Sequence, residues 1–498
     1  MPFGGTRTVF ICLGLWCEIG VTNHSSVGCV GGKMAEPSLR VLQVSTVDMR
    51  GGAEKVAWDL FTAYRDRGYG SWLAVGEKLG NDPDVLLIPN LELRGSWIRF
   101  WWKIFPNSPS PTGWRRRTAK SLRDLGMSLA EPGRALDILR GREDFRFPGT
   151  GRLLTLTSEL PHIVHCHNLH GGYFDLRMLS WISQKVPVIL TLHDEWLLTG
   201  HCAHSFLCEK WKTGCGQCPD LSIYPAIRRD ASDYNWRRKK EIYARSRLYI
   251  ATPSRWLMNK IEQSMLSPAI VNTRVIPNGV DLDIFRPSNK QEARAALGIP
   301  QQARVLLSTG VMMRQNIWKD YSTLRASVAL AAKRLSGENL LLIVLGEDAP
   351  VERVDKLEIR FVPYQEDPTT VARYYQAADV YVHAARADTA PISISEAMGC
   401  GTPVVATAVG GIPEQVEDAR TGFLVPLGNA EALASRITQL LLDEALKRSM
   451  GMQAAKSARY RFNFDQQVDG YLNWYEEIIR DTKAGNSRKS VYALSNPI

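Results

Sequence analysis

The chain has no run of about eighteen consecutive apolar residues, so no segment reads as a helix able to cross a bilayer. Cysteine is scarce outside one short stretch. Cys12, Cys17, Cys29, Cys166 and Cys400 show no pairing pattern, which argues against a disulfide framework. No nucleic-acid-binding module is legible, so nucleic acid is not an expected partner. Acidic residues are in deficit: 51 Asp and Glu stand against 61 Lys and Arg, a net charge of +10 that favours anionic ligands or acidic membrane surfaces. Residues 1–33 lack the charged start and the cleavage site of a working signal peptide, although Thr8–Val21 is apolar apart from Glu18. We expect them to be a non-native or disordered extension, ahead of Met34 and the first good strand.

What is present is ordinary for a large soluble fold. At 498 residues, with 45% hydrophobic and 22% charged residues, the chain exceeds one core and implies two or three domains. Near-continuous apolar strands alternate with helical segments. A first set runs Leu39–Ser45, Ser71–Val75, Ile163–Cys166, Val188–His193, Leu248–Thr252 and Arg274–Ile276. A second runs Val305–Thr309, Leu340–Leu345, Ile359–Val362, Val380–His383, Val404–Ala406 and Phe423–Val425. Strands of this kind form parallel sheets covered on both faces, so the sequence predicts two Rossmann-like α/β domains facing each other across a cleft. The expected boundaries are 34–275 for the first domain, a turn-rich hinge over 276–288, and 289–460 for the second. A helix over 461–481 carries Val468, Tyr471, Leu472, Trp474, Tyr475, Ile478 and Ile479 on helical spacing and should cross back onto the first domain. The polar residues 482–498 read as disordered.

Two stretches interrupt the first domain. Residues 92–150 interleave aromatics with Arg and Lys (SWIRFWWKIF, then WRRRTAKSLRDL). They read either as a helical insertion with a solvated basic face or as a surface for membrane headgroups and an anionic lipid-linked partner. The other stretch, 200–220, holds Cys202, Cys208, Cys215 and Cys218 in a C-x5-C-x6-C-x2-C pattern. Its C-x2-C half suits tetrahedral zinc, with His201 and His204 as spare ligands; a reduced structural cluster is the alternative.

Ligands of parallel sheets bind beyond the carboxyl ends of the strands, and polar motifs gather there. Gly51 and Gly52 follow the first strand and let a ligand approach the backbone closely. His167, Asn168 and His170 follow the third and are read as facing the cleft, whereas His165 reads as a satisfied core residue. His193 ends the fourth, with Asp194 placed to orient its ring. In the second domain, Asp388 and Glu396 bracket a helix start with seven residues between them. Pro391 suits a first helical turn, so the N–H groups of Ile392 and Ser393 would form an anion site at a helix N-terminus. Glu396, about one turn further in, could accept both hydroxyls of a ribose. Gly346 and Glu347 end another strand and would flank a nucleotide base.

The residues Asp388, Pro391, Glu396-Ala397-Met398, Gly401–Val405, Gly410–Glu414 and Gly422 resemble the E-x7-E signature of the retaining glycosyltransferases of family four, here as D-x7-E. The junction at Ile276-Pro-Asn-Gly-Val-Asp281 and the Gly-Gly-Ala-Glu loop at 51–54 resemble the same family. The resemblance implies a GT-B fold and transfer of a hexosyl group, with retention, from a UDP- or GDP-sugar to a hydroxyl of a glycan or lipid-linked acceptor in polysaccharide biosynthesis. It implies that Asp388 and His193 frame the transferred sugar and that Lys319 and Arg314 hold the donor diphosphate. No metal cofactor would then be needed for catalysis, and the protein would be cytoplasmic, at the inner face of the plasma membrane. An epimerase or phosphorylase of the same fold, or a non-catalytic sugar-nucleotide-binding module, is the alternative.

Overall fold

The computed structural model describes residues 39–49, 51–104, 126, 128–335 and 338–494; the N-terminal extension and the WRRRTAKSLRD part of the basic insertion lie outside them. Two seven-stranded sheets organise the rest. The first holds β1 (Arg40–Val47), β2 (Gly70–Glu77), β3 (Val85–Leu87), β4 (Ile163–His167), β5 (Val188–Thr191), β6 (Leu248–Thr252) and β7 (Ile270–Val275) in the order β3-β2-β1-β4-β5-β6-β7. The second holds β8 (Arg304–Thr309), β9 (Leu340–Leu345), β10 (Glu352–Val354), β11 (Leu357–Val362), β12 (Val380–His383), β13 (Val404–Thr407) and β14 (Gly422–Val425) in the order β10-β11-β9-β8-β12-β13-β14. All neighbours are parallel except the short β10, which runs antiparallel to β11. This is the doubly wound pair of sheets that the strand pattern predicts.

The helices that matter for the site are α1 (Gly52–Asp66), α2 (Ser96–Ile104), α3 (Arg255–Glu262), α4 (Pro368–Ala377), α5 (Ile392–Gly399), α6 (Glu444–Arg461) and α7 (Phe464–Leu494). The apolar stripe of α7 packs where expected. Val468, Tyr471, Leu472, Trp474, Tyr475 and Ile478 are buried in one cluster with Val41, Ile163 and Ile189 of the first sheet and Leu60 and Tyr64 of α1. Burying a large apolar side chain is worth roughly 1.5–3 kcal/mol, so this seam ties the last helix firmly to the first domain.

Three sequence expectations need correction here. The helix α7 does not end near Asp481 but continues to Leu494, so the expected disorder from 482 is replaced by helix over its described part. Helix persists there because hydrogen bonding propagates from a packed, nucleated segment even where the face is polar. The strand expected over Val188–His193 stops at Thr191, leaving His193 in the loop beyond it. The last strand of the first sheet begins at Ile270, not Arg274; it is an edge strand with Val271 and Asn272 both exposed, which masks the apolar signal.

Candidate active site

The two sheets present their carboxyl ends to one cleft, and the cleft's chemistry comes from loops that start there. In the second domain, Lys319 follows β8 and forms an isolated backbone bridge with Ala385, just past β12. That bridge brings its side chain to Asp388: Nζ donates to Oδ2 at 2.8 Å. His383, the last residue of β12, completes the group, with Nε2 3.3 Å from Lys319 Nζ and 3.4 Å from Asp388 Oδ2. Burial alone would raise the Asp388 carboxyl, but the Lys319 ammonium and the His383 ring outweigh it and hold it well below the usual range. Burial and the neighbouring lysine push His383 down to about 4, so its ring is neutral. The sequence reading named Asp388 and Lys319 but not His383, although its place at a strand's carboxyl end was the available signal.

Asp388 is fixed from behind. Gly411 N–H donates to the Asp388 carbonyl at 3.1 Å. Gly410 takes φ +56°, and a Cβ there would lie 1.8 Å from the same oxygen. The Gly410-Gly411 pair is therefore required for close backbone approach. Pro391 flanks α5 as its N-cap rather than entering its first turn, and the first turn's bond runs from Ile394 N–H to the Pro391 carbonyl. The N–H groups of Ile392 and Ser393 precede it in the helix and are of the kind left without intrahelical acceptors. Glu396 stands one turn on, half-buried, its Oε2 accepting the Tyr375 hydroxyl of α4 at 2.8 Å. Burial raises its carboxyl. Lys55 and Asp59 of α1 act on the same carboxylate, which puts the first domain's opening helix across the cleft from it.

Arg314 does not join this group. Its Nε donates to Glu347 Oε1 at 2.5 Å, its backbone N–H donates to Oε2 at 3.1 Å, and its guanidinium lies over the Phe361 ring. Gly346 takes φ +107° and packs on the Gly310 carbonyl, where a Cβ would come within 2.7 Å. The Gly346-Glu347 turn thus anchors the loop after β8. Thr402 lies at the far end of α5, buried and bonded to the Tyr375 carbonyl at 2.8 Å, and is remote from the helix N-terminus.

In the first domain the histidines sort by depth. His165 is a satisfied core residue, as expected, between the Tyr475 hydroxyl and Thr191 Oγ1, both at 2.6 Å. His167 corrects the expectation that it faces the cleft. It is fully buried, with Nε2 2.9 Å from Gln43 Oε1 and Nδ1 3.1 Å from His193 Nε2. His193 therefore rests on His167, and burial holds it down to about 4. Asp194 turns instead to His170, accepting at 2.6 Å, and does not orient His193. Burial opposes the charged form of each partner, yet their mutual attraction wins: His170 is raised and Asp194 lowered, so they form an ion pair. Asn168 adopts φ +33°, its carbonyl accepting the Tyr173 hydroxyl at 3.0 Å.

Glu54, in the Gly-Gly-Ala-Glu loop, is a residue at the cleft that motif spacing alone does not single out. It is half-buried, raised by burial, and within electrostatic reach of His170 and Asp194. Gly51 itself takes φ +93°, a backbone conformation that favours glycine. Gly52 opens α1 with free space around it. The two halves meet directly: Thr389 Oγ1 donates to the His193 carbonyl at 2.7 Å, and the Glu414 carboxylate accepts the N–H groups of Arg255 and Trp256 at the start of α3, at 2.7 and 2.6 Å.

The cysteine insert forms a flap over the same cleft. His204 and Phe206 pack on Trp318, the neighbour of Lys319, at ring distances of 5.1 and 5.7 Å. Cys202, Cys208, Cys215 and Cys218 are free thiols lining one small cavity with His201. Among the described residues no group of three or more His, Cys, Asp or Glu side chains is arranged to hold a metal ion.

Comparison with known proteins accounts for the cleft. Residues 50–284 match the Glycosyltransferase Family 4 model and residues 289–457 match Glycosyl transferases group 1, one for each domain. The chain belongs to the family-four glycosyltransferases. WcaC of Escherichia coli K12, a glycosyl transferase assigned to colanic acid biosynthesis, is 24% identical over 345 residues, covering 66% of this chain and 79% of that protein. A D-inositol 3-phosphate glycosyltransferase of Mycobacterium tuberculosis is 33% identical over 234 residues, 45% of this chain and 47% of that one. The match thus spans about half the length of the inositol phosphate relatives. Among solved structures, sucrose-phosphate synthase from Thermosynechococcus elongatus superposes with a TM-score of 0.56 at 19% identity, covering 89% of this chain and 100% of that one. HepE of Anabaena in complex with UDP-glucose gives 0.54 at 16%, covering 87% and 99%. At such identities the likeness shows the GT-B fold, with its two Rossmann-like domains.

Proposed function

We propose that this family-four glycosyltransferase moves a hexosyl group, with retention, from a UDP- or GDP-sugar to a hydroxyl of a lipid-linked or glycan acceptor in polysaccharide biosynthesis. The observation that carries the reading is the half-buried Lys319–Asp388 pair, backed by the buried His383, beside the N-terminus of α5. Lys319 and the Ile392 and Ser393 amides receive the donor diphosphate, and Glu396, oriented by Tyr375, takes the ribose. Asp388 and the His193 loop frame the sugar. Charge builds on the leaving diphosphate as the glycosidic bond breaks, and a fixed ammonium and helix amides in a water-poor cleft stabilise it there. Arg314, engaged by Glu347, acts on the donor from its place beside Gly346, by holding the loop that carries Lys319. The chemistry takes no catalytic metal in this reading.

The acceptor side favours an amphiphile. A cavity of about 260 Å3 begins at His170 and Trp196, and a second of about 470 Å3 reaches Trp102 of α2; both are lined by Phe147, Gly171 and Gly172. Beyond them α2 exposes Trp97, Phe100 and Ile104 at 51, 52 and 49%. That path suits a lipid tail leading to a membrane surface and so supports a place at the inner face of the plasma membrane. No helix among the described residues is long and apolar enough to cross a membrane. The Glu54, His170 and Asp194 side chains then meet the acceptor's hydroxyls.

The test is radiolabelled sugar transfer from UDP- and GDP-hexoses to a lipid-linked acceptor pool, with EDTA present. Transfer should persist, and Glu396→Ala should lower kcat/KM by roughly 2–4 kcal/mol of transition-state stabilisation. Donor consumption without acceptor would favour an epimerase, and dependence on inorganic phosphate a phosphorylase. Full turnover by folded Glu396→Ala would remove the nucleotide assignment.

A further inference from the structure

We propose that a separate cavity, at the far end of α5 from the donor amides, binds a phosphate-bearing anion. It has a volume of about 530 Å3, within the usual range for ligand sites. Its floor is the turn Cys400–Pro403 that follows α5, and one wall is α6. The eight residues of α5 separate it from Ile392 by roughly 12 Å of helix, so it is not part of the cleft.

The lining charge is lopsided. Lys290, Lys447, Arg448, Lys456 and Arg459 face it, against only Asp379 and Glu444. Asp379 is buried and already saturated. Its Oδ1 accepts from Lys290 at 2.9 Å and Lys447 at 3.2 Å, and its Oδ2 accepts from Arg294 and the Val305 N–H, both at 2.9 Å. Burial would raise this carboxyl, but Lys290 and Lys447 dominate and keep it well below the usual range. It therefore works as an anchor that fixes two ammonium groups in the wall. Glu444 is exposed and bonded to Lys447 at 2.8 Å.

Arg448, Lys456 and Arg459 have no ion-pair or hydrogen-bond partner among the described residues. With Met452 they recur at the spacing of one helix face, so three cations share one wall. Like charges gathered in a concavity repel one another unless an anion joins them. The geometry is also built for close approach: a Cβ on Gly451 would lie 2.3 Å from the Gly401 carbonyl, so only glycine lets α6 settle on the turn. An arginine fork and ammonium groups around such a space match the oxygens of a phosphate ester or diphosphate. A lipid headgroup and a soluble phosphorylated compound offer the same chemistry.

Calorimetric titration with inorganic pyrophosphate tests this, using the full chain carrying Lys319→Ala so that the cleft's lysine does not contribute. Adding Lys456→Ala with Arg459→Ala should weaken the remaining binding at least tenfold, and Arg448→Gln alone should weaken it several-fold. Co-sedimentation with phosphatidylglycerol and phosphatidylcholine vesicles separates the sources. Loss of phosphatidylglycerol binding in the double variant supports a headgroup, and loss of pyrophosphate binding with vesicle binding unchanged supports a soluble ligand. If neither binding changes in any of these folded variants, the proposal is overturned.

Discussion

Lys319 is the residue on which the proposed chemistry of the second domain turns. Its ammonium satisfies a half-buried carboxylate, so on the proposed function removing it strips a cation from the diphosphate and leaves Asp388 with only the His383 ring. Lys319→Ala should reduce kcat by about 10²–10³, the scale of losing one fixed donor at a developing oxyanion. Stopped assays at saturating donor would read this, and a loss confined to KM would contradict it. At this scale the sequence was informative where a motif had fixed spacing. Asp388, Glu396 and the Gly410-Gly411 pair could be placed because punctuation and helix start lie within one short segment. His167, Asp194 and Arg314 were misjudged in detail because their partners, His193, His170 and Glu347, are chosen by the fold. A strand end says that a side chain is near the cleft and not which neighbour it takes.

Helices and inserts were legible in proportion to their burial. The apolar period of α7 predicted both the helix and its landing place, whereas its polar continuation to Leu494 carried no such signal. Trp474 sits 2% exposed in that seam. Trp474→Ala should cost about 3–5 kcal/mol by urea denaturation, since a large core aromatic is replaced by a cavity. A cost below about 1 kcal/mol would mean that the helix is not part of the cooperative unit. The cysteine insert makes a sharper forecast. We retain zinc there as a proposal because the His201 ring approaches the Pro225 carbonyl at 3.1 Å with Nδ1 and Cys218 Sγ at 3.2 Å with Nε2, the orientation of a metal-binding imidazole. The other sulfurs would have to draw inward. Elemental analysis should find about one zinc per chain, and zinc-free protein with four titratable thiols and full activity would refute it.

For the molecule as a whole, acid is the informative variable. His165 is held down to about 3, His193 and His383 to about 4, and His167 is lowered too, each chiefly by burial. All four are neutral when folded but take up a proton near pH 6.5 when unfolded. Their contribution to stability is therefore complete above about pH 6.5 and is lost as pH falls towards 4, by up to about 1.4 kcal/mol per pH unit for each. His170 has the opposite sign: its raised value gives stability that is present below the unfolded value and lost as pH rises. Because His170 acts above about pH 6.5 and the other four below it, it does not offset the loss in acid. Denaturant midpoints at about pH 7.5, 6 and 5 should fall in that order, and a flat profile would show that these rings are not buried neutral. The doubly wound architecture was readable from strand composition alone, but how the halves engage was not, because the contacts pair residues far apart in the chain. Glu414 bonds two amides of α3, and Thr389 holds the carbonyl of His193. The two halves are thus fastened to each other by three hydrogen bonds, and on the proposed function a sugar nucleotide reaches the cleft when they part. On that reading turnover keeps the rhythm of the clasp: each cycle includes a parting of the halves, and the same bonds, once remade, would keep water from the sugar in transit.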